Sequence, residues 1–98
     1  MENQSKFYIN GAWVSPMGSE TIEVINPSDE SVIGTIAAGT SDDVEVAVAA
    51  ASDAFTSFGF SSKEDRIQII EDIITEYEKR SEELAQTISN EMGAPLWL

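Results

Sequence analysis

Residues 7–14 read FYINGAWV, and this stretch decides how the chain begins to fold. Asn10-Gly11 separates two short apolar runs, which is typical of a two-residue β-hairpin turn whose central residues both take positive φ. With that turn, Tyr8 faces Trp13 across the two strands. We expect this aromatic cross-strand pair to fix the register of the hairpin.

A second hairpin is predicted immediately downstream. Residues 21–25 are rich in β-branched side chains, and residues 32–36 form a similar apolar run. Between them, residues 26–30 carry turn chemistry, because Pro27 biases Asn26 away from helical backbone. The two runs are therefore expected to pair as antiparallel strands.

After Gly39 the apolar residues follow a helical period. Thr40 or Ser41 is expected to cap a first helix, and Asp42 and Asp43 favour the positive end of its dipole. Its predicted core-facing side is rich in alanine and consists of Val44, Ala47, Val48, Ala51, Phe55 and Phe58.

A second helical stretch is predicted to open at Ser61 or Ser62, each of which has an acidic residue three positions on. We expect a kink or break near Arg80-Ser81, with Ser81 as a possible N-cap, and an end at Gly93. The apolar stripe of this stretch, more typical of a packed core than of a cofactor pocket, comprises Ile67, Ile70, Ile73, Ile74, Tyr77, Leu84, Ala85, Ile88 and Met92.

The predicted fold class is α+β, with two to three short antiparallel strands followed by two to three amphipathic helices. The strand and hairpin region spans residues 6–39, and the helical region spans residues 40–93. The chain closes on Leu96-Trp97-Leu98, although free termini are usually polar. We therefore expect the chain to stop where a further element of a larger domain would begin.

Composition removes several classes of function. The 98 residues include no cysteine and no histidine, which excludes a thiolate or imidazole catalyst within the chain. A formal net charge of −13 argues against a nucleic-acid or anionic-membrane partner, since both need a basic face. The polar first residues and the lack of a long apolar run make the cytoplasm the expected compartment.

The residues alone predict no reaction. Most carboxylates fall off the apolar stripes and are expected to face solvent. The six glycines lack the spacing of a dinucleotide fingerprint or a phosphate loop. No catalytic or cofactor-binding residue is therefore predicted within the chain.

Several stretches together resemble a known family. Five segments, in order and with matching gaps, are similar to recurring segments of aldehyde dehydrogenases: residues 7–14 (FYINGAWV), 21–27 (TIEVINP), 31–40 (SVIGTIAAGT), 42–51 (DDVEVAVAAA) and 91–96 (EMGAPL). The resemblance covers nearly the whole chain. It implies the N-terminal segment of the nucleotide-binding domain, normally packed against a Rossmann-type α/β sheet that this chain does not contain.

The resemblance also implies an activity. Such enzymes oxidise aldehydes to carboxylic acids with NAD or NADP through a cysteine thiohemiacetal. In the family the cysteine and the nucleotide-binding glycines lie downstream of this segment, so the chain alone is expected to be inactive. The implied partners are the aldehyde substrate, the remainder of the dehydrogenase fold and further copies in a homo-oligomer.

One family site falls on residues of this chain. In some members a monovalent cation binds backbone carbonyls before the Asn-Pro pair and an acidic residue of the last motif, positions that correspond to Val24, Ile25 and Glu91 here. Oxygen ligands of this kind suit a hard cation. The alternative for Glu91 is a surface charge near a helix end.

A rival interpretation makes the chain a stand-alone acidic α+β module. It would engage a partner protein through the apolar residues Leu96-Trp97-Leu98. An acidic carrier protein is a weaker alternative, because Ser52-Asp53 has the reverse of the required order and lies in the middle of a predicted helix.

Overall fold

The computed structural model describes residues 4–98. Its elements, in chain order, are β1 (Phe7–Ile9), β2 (Ala12–Val14), β3 (Thr21–Ile25), β4 (Val32–Ala37), α1 (Ser41–Phe58), α2 (Lys63–Lys79) and α3 (Ser81–Met92). The strands form two separate antiparallel pairs, β1 with β2 and β3 with β4. This is the predicted α+β class, with four strands because each arm of the first hairpin forms a strand of its own.

The first hairpin has the predicted turn and register. Tyr8 pairs with Trp13, and Asn10 and Gly11 have φ of 52° and 76°. The Tyr8 and Trp13 rings meet edge to face, with their centroids 5.2 Å apart and an interplanar angle of 61°. Edge-to-face contact of this kind stabilises an aromatic pair beyond the area it buries.

The second hairpin is longer and irregular near its turn. Val24 pairs with Gly34 but Ile25 pairs with Val32, so Ile33 is the extra residue of a β-bulge on β4. At the other end of β4, the Ala37 N–H donates to the Gln4 carbonyl at 3.2 Å. The backbone at Gln4 therefore covers part of the open edge of this sheet.

Two helices begin with complete capping boxes. Thr40 caps α1 together with Asp43, and Ser62 caps α2 together with Asp65. The predicted break lies between α2 and α3, but Ser81 does not cap α3. Arg80 occupies that position without a side-chain cap, because it alone separates α2 from α3 and Ser81 already lies within the first turn of α3.

The apolar faces of the helices are exposed in this chain, as expected for a segment that normally packs against a sheet outside it. Within residues 4–98, Ala37 is the only buried hydrophobic residue, whereas Phe55 is 69% exposed and Ile73 is 61% exposed. The physical reason is thickness: the shortest principal extent is 17 Å, which leaves one layer of elements with nothing opposite. A buried core requires at least two packed layers.

The tryptophans behave differently from each other. Trp13 packs on Tyr8, as the predicted cross-strand pair requires, while Trp97 is 84% exposed. Over residues 4–98, no helix combines the length and apolar character needed to cross a lipid bilayer.

Candidate functional site

A small cavity lies between the second hairpin and the C-terminal turn of α3. Its volume is about 170 Å³. The residues that line it are Gln4, Val24, Ile33, Gly34, Ile36, Thr87, Asn90 and Glu91. Hairpin backbone and apolar side chains thus form one wall, and polar side chains of α3 form the other.

The polar wall follows from helical geometry. Thr87, Asn90 and Glu91 are spaced i, i+3 and i+4, which places all three on one face of α3. Two of them are oriented by bonds within the helix: the Thr87 hydroxyl donates to the Glu83 carbonyl at 3.0 Å, and the Asn90 Oδ1 accepts from Gln86 at 3.0 Å.

The end of α3 abuts the turn of the second hairpin. Gly93 ends the helix in the left-handed region with φ of 74°, as predicted, and a Cβ at this position would lie 3.3 Å from Pro27 Cγ. Glycine therefore serves both the left-handed conformation and the close approach to Pro27. This contact brings the Asn-Pro turn and the 91–96 segment together, although they are far apart in the sequence.

The α3 wall of the cavity carries negative charge. Glu91 supplies a carboxylate in the last turn of α3, where unpaired carbonyls form the negative end of the helix dipole. That turn contains no basic side chain. Among the residues that the structure describes, no hydrogen bond or ion pair engages the Glu91 carboxylate.

Two of the three residues predicted from the sequence meet at this cavity. Val24 and Glu91 both line it, whereas Ile25 is not among the lining residues. Ile25 follows Val24 at the bulge, and its side chain is exposed. Within residues 4–98 there is no cluster of three or more acidic side chains that could bind a metal ion by themselves.

Sequence reasoning missed the other polar residues of the cavity. The spacing of Thr87, Asn90 and Glu91 was a usable signal, since it is one face of a predicted helix. Gln4 gave no signal, because its position depends on the contact between its carbonyl and Ala37, which lies 33 residues away (37 − 4).

A second polar cluster surrounds Asp43 at the start of α1. Asp43 Oδ1 accepts from the Met17 N–H at 2.9 Å, and Oδ2 accepts from the Thr40 N–H at 2.9 Å and the Thr40 hydroxyl at 3.0 Å. The pKa of Asp43 is lowered, first by the Thr40 N–H and next by the Met17 N–H. Both carboxylate oxygens of Asp43 already accept hydrogen bonds from Met17 and Thr40. This cluster therefore stabilises the fold and offers no free group for chemistry.

The start of α1 differs from a phosphate-binding loop. Within residues 4–98 neither hairpin leads into a glycine-rich loop, and the Thr40 hydroxyl already accepts from the Asp43 N–H in the first turn of α1. Within the described residues no step of hydride transfer can therefore be assigned to a side chain.

Comparisons with known proteins give a consistent result. The sequence profile of the Aldehyde dehydrogenase family matches residues 13–98. A candidate aldehyde dehydrogenase of Staphylococcus saprophyticus is 48% identical over 96 residues, which are 98% of this chain and 20% of the relative.

Solved structures agree at the level of the fold. An aldehyde dehydrogenase of Bartonella henselae superposes with a TM-score of 0.93 at 43% identity, over 98% of this chain and 20% of that one. A mutant of aldehyde dehydrogenase C of Pseudomonas syringae, in complex with NAD+ and octanal, gives a TM-score of 0.93 at 45% identity. The match covers 96% of this chain and 19% of that one.

The chain thus spans about a fifth of the length of the relatives it matches, and its fold is part of a larger domain in them. The profile match extends over most of the 98 residues and includes the second hairpin and the three helices. The chain belongs to the aldehyde dehydrogenase family.

Proposed function

We propose that residues 1–98 are the N-terminal portion of an enzyme that oxidises aldehydes to carboxylic acids with NAD or NADP. The observation that carries the proposal is the superposition on the Bartonella henselae aldehyde dehydrogenase, with a TM-score of 0.93 over 98% of the chain. In this proposal residues 6–39 and 40–93 are the strand and helical regions of one domain portion.

The chain has a structural part in that reaction. It contains no cysteine, so the nucleophile that forms the thiohemiacetal would lie outside these residues. The nicotinamide would accept hydride when bound elsewhere in the enzyme. We expect the 98-residue chain alone to form no NADH or NADPH from any aldehyde.

The exposed helix faces support docking against the remainder of the dehydrogenase fold. A shallow groove along α2 and the start of α3 is lined by Ile69, Asp72, Ile73, Glu76, Tyr77, Arg80 and Leu84. Its apolar residues are exposed over a flat, single-layered molecule. Patches of this kind mark surfaces that another element covers.

A chimera tests this role directly. Residues 1–98 would replace the matched segment of the Staphylococcus saprophyticus relative. We expect a soluble chimera that retains the relative's aldehyde oxidation, followed as NADH absorbance. Ile73→Glu should make the chimera aggregate, whereas Thr75→Glu, which adds the same charge elsewhere on α2, should not.

An insoluble or inactive chimera beside an active parent would contradict the proposal. Reading the coding frame past codon 98 separates the rival module: a stop codon there would favour the stand-alone protein. The proposal also includes the cytoplasmic location and the homo-oligomer implied by the family. Cell fractionation and light scattering of the longer protein test those two parts.

We also propose a monovalent cation at the cavity beside α3. The supporting observations are the carboxylate of Glu91, the carbonyl-rich end of α3 and the absence of a basic side chain in its last turn. Val24, Ile25 and Glu91 are the proposed ligand residues, with backbone carbonyls at the first two. The Thr87 hydroxyl is a further oxygen on the same wall. These donors suit sodium or potassium.

Thermal unfolding in different chloride salts tests the cation. At equal ionic strength, sodium or potassium should raise the midpoint over tetramethylammonium, and a tenfold excess over Kd corresponds to about 1.4 kcal/mol. Glu91→Gln should abolish the rise, while Glu78→Gln on the exposed face of α2 should retain it. The same midpoint in all three salts, or a rise that survives Glu91→Gln, would contradict the site.

A further inference from the structure

The turn between β1 and β2 contains a chemically reactive pair. The side-chain amide carbon of Asn10 is an electrophile, and the backbone nitrogen of Gly11 is the adjacent nucleophile. Asn10 is exposed, and a Cβ on Gly11 would meet no atom within 4 Å. Within residues 4–98, no hydrogen bond engages the Asn10 side chain. Solvent therefore has unobstructed access to this amide.

The other asparagines that the structure describes are less suited to the same attack. Asn26 precedes Pro27, whose nitrogen carries no hydrogen. Asn90 lies inside α3, its Oδ1 accepts a hydrogen bond from Gln86, and a bulky glutamate follows it. Asn10 alone among the three combines an exposed amide with a following glycine.

We propose that Asn10 is the preferred deamidation site among Asn10, Asn26 and Asn90 and that opening of the β1–β2 turn controls its rate. The Gly11 nitrogen bonds to Asn10 Cγ, the bond from Cγ to the side-chain nitrogen breaks, and the Gly11 proton passes through water to the departing ammonia. Water then opens the cyclic imide at either carbonyl, giving aspartate or isoaspartate. The reaction consumes one water, releases one ammonia and involves no change in oxidation state.

The native turn opposes ring closure. With φ of 52°, Asn10 lies in the left-handed region, where ψ is also positive. That ψ turns the Gly11 nitrogen away from the side chain, so rotation about the Cα–C bond must come first. The rotation breaks the turn that holds Tyr8 against Trp13, and the edge-to-face pair therefore slows the reaction.

The product would alter the hairpin. Isoaspartate adds a methylene to the backbone of a two-residue turn, which changes the length of the connection that sets the register. Either product adds one negative charge to a chain whose formal charge is already −13. Modification at Asn10 would therefore loosen the contact between Tyr8 and Trp13.

Peptide mass mapping of the full chain after incubation in mildly alkaline buffer tests the proposal. In the urea-unfolded chain, the product should concentrate on the Asn10 peptide over those of Asn26 and Asn90. The native chain should react more slowly. Trp13→Ala should speed the native reaction roughly two- to tenfold, the range expected for loss of one aromatic pair. Trp97→Ala, at an exposed position, should leave the rate unchanged.

Three results would overturn parts of the proposal. An even distribution of product over the asparagines of the unfolded chain would remove Asn10 as the preferred site. Equal rates in the native and unfolded chains would remove control by the turn. An unchanged rate in Trp13→Ala, with the Asn10 peptide still reacting in urea, would remove the role of the aromatic pair. Asn10→Ser identifies the product peptide, because it should show no mass change there.

Discussion

Helices α1 and α2 both begin with a capping box, but only the box of α1 also bonds to a distant part of the chain. In α1 the Asp43 carboxylate caps the first turn and also accepts the Met17 N–H, 26 residues away. In α2 the Asp65 carboxylate accepts the Ser62 N–H at 3.3 Å and bonds nothing more distant among the described residues. Asp43 is buried, while Asp65 is exposed.

The difference shows what a capping box can and cannot do. The box satisfies first-turn amides wherever it occurs, which is a local contribution. It anchors a helix to the rest of the molecule only where a loop brings a second donor to the remaining carboxylate oxygen. The loop before β3 does this for α1, and nothing in residues 4–98 does it for α2.

Removing the Asp43 and Asp65 carboxylates in turn should give the largest difference in amide hydrogen exchange. We expect Asp43→Ala to speed hydrogen exchange at the Met17 amide roughly tenfold to a hundredfold, because a charge-assisted bond is lost. Asp65→Ala should affect only the Ser62 N–H and amides in the first turn of α2. Exchange measured by NMR compares the variants residue by residue, and equal effects on Met17 would contradict the long-range role of Asp43.

A substitution at Gly18, in the loop that packs on the α1 cap, should have a smaller effect on stability. A Cβ at Gly18 would lie 2.8 Å from Thr40 Cγ2, and the hydrogen bonds of the cap hold that side chain in place. Gly18→Ala should therefore cost about 1 kcal/mol, the low end for overpacking, since Gly18 is only half-buried. Thr40→Ser keeps the hydroxyl and removes the methyl, so it should rescue the variant.

Gly34→Ala is the matched control for that substitution, because its Cβ would make an ordinary contact of 3.6 Å with Gln4 Oε1. Denaturant unfolding or exchange at Met17 provides the measurement. If Thr40→Ser failed to rescue Gly18→Ala, the steric explanation would be wrong.

Acid should weaken the hydrogen bond between the Met17 N–H and Asp43 by less than Asp43→Ala does. The folded pKa of Asp43 is lowered, so its contribution is fully present above the ordinary value of 3.8 and is lost as pH falls through the folded value. A protonated carboxyl still accepts, with roughly half the strength of the ionised group. Protection of the Met17 amide against hydrogen exchange should fall at that low pH in the unsubstituted chain. In Asp43→Asn the protection should not change with pH.

Local features of this fold were accessible from the sequence. Asn10-Gly11 predicted the turn and the pairing of Tyr8 with Trp13, because a two-residue turn leaves one register. The cap positions were narrowed to Thr40 or Ser41 and to Ser61 or Ser62, and the structure selects one of each pair. These features depend on interactions between residues close together in the chain.

The remaining features depend on distant contacts. Nothing near Asp43 signals that Met17 will reach it, and nothing near Gln4 signals its bond to Ala37. The lining of the cavity beside α3 combines both kinds of residue: Val24 and Glu91 were named from the family resemblance, while Gln4 joins them through its long-range pairing. Periodicity identified the apolar faces of the helices, but it does not identify the element that lies opposite them.

The 17 Å thickness of the chain has a thermodynamic consequence. Residues that are exposed in the native state gain little further contact with water when the chain unfolds. The denaturant m-value and the heat-capacity change of unfolding both scale with newly exposed surface. The chain by itself should therefore lose its structure over a broad range of denaturant, with a shallower slope than is usual for its length.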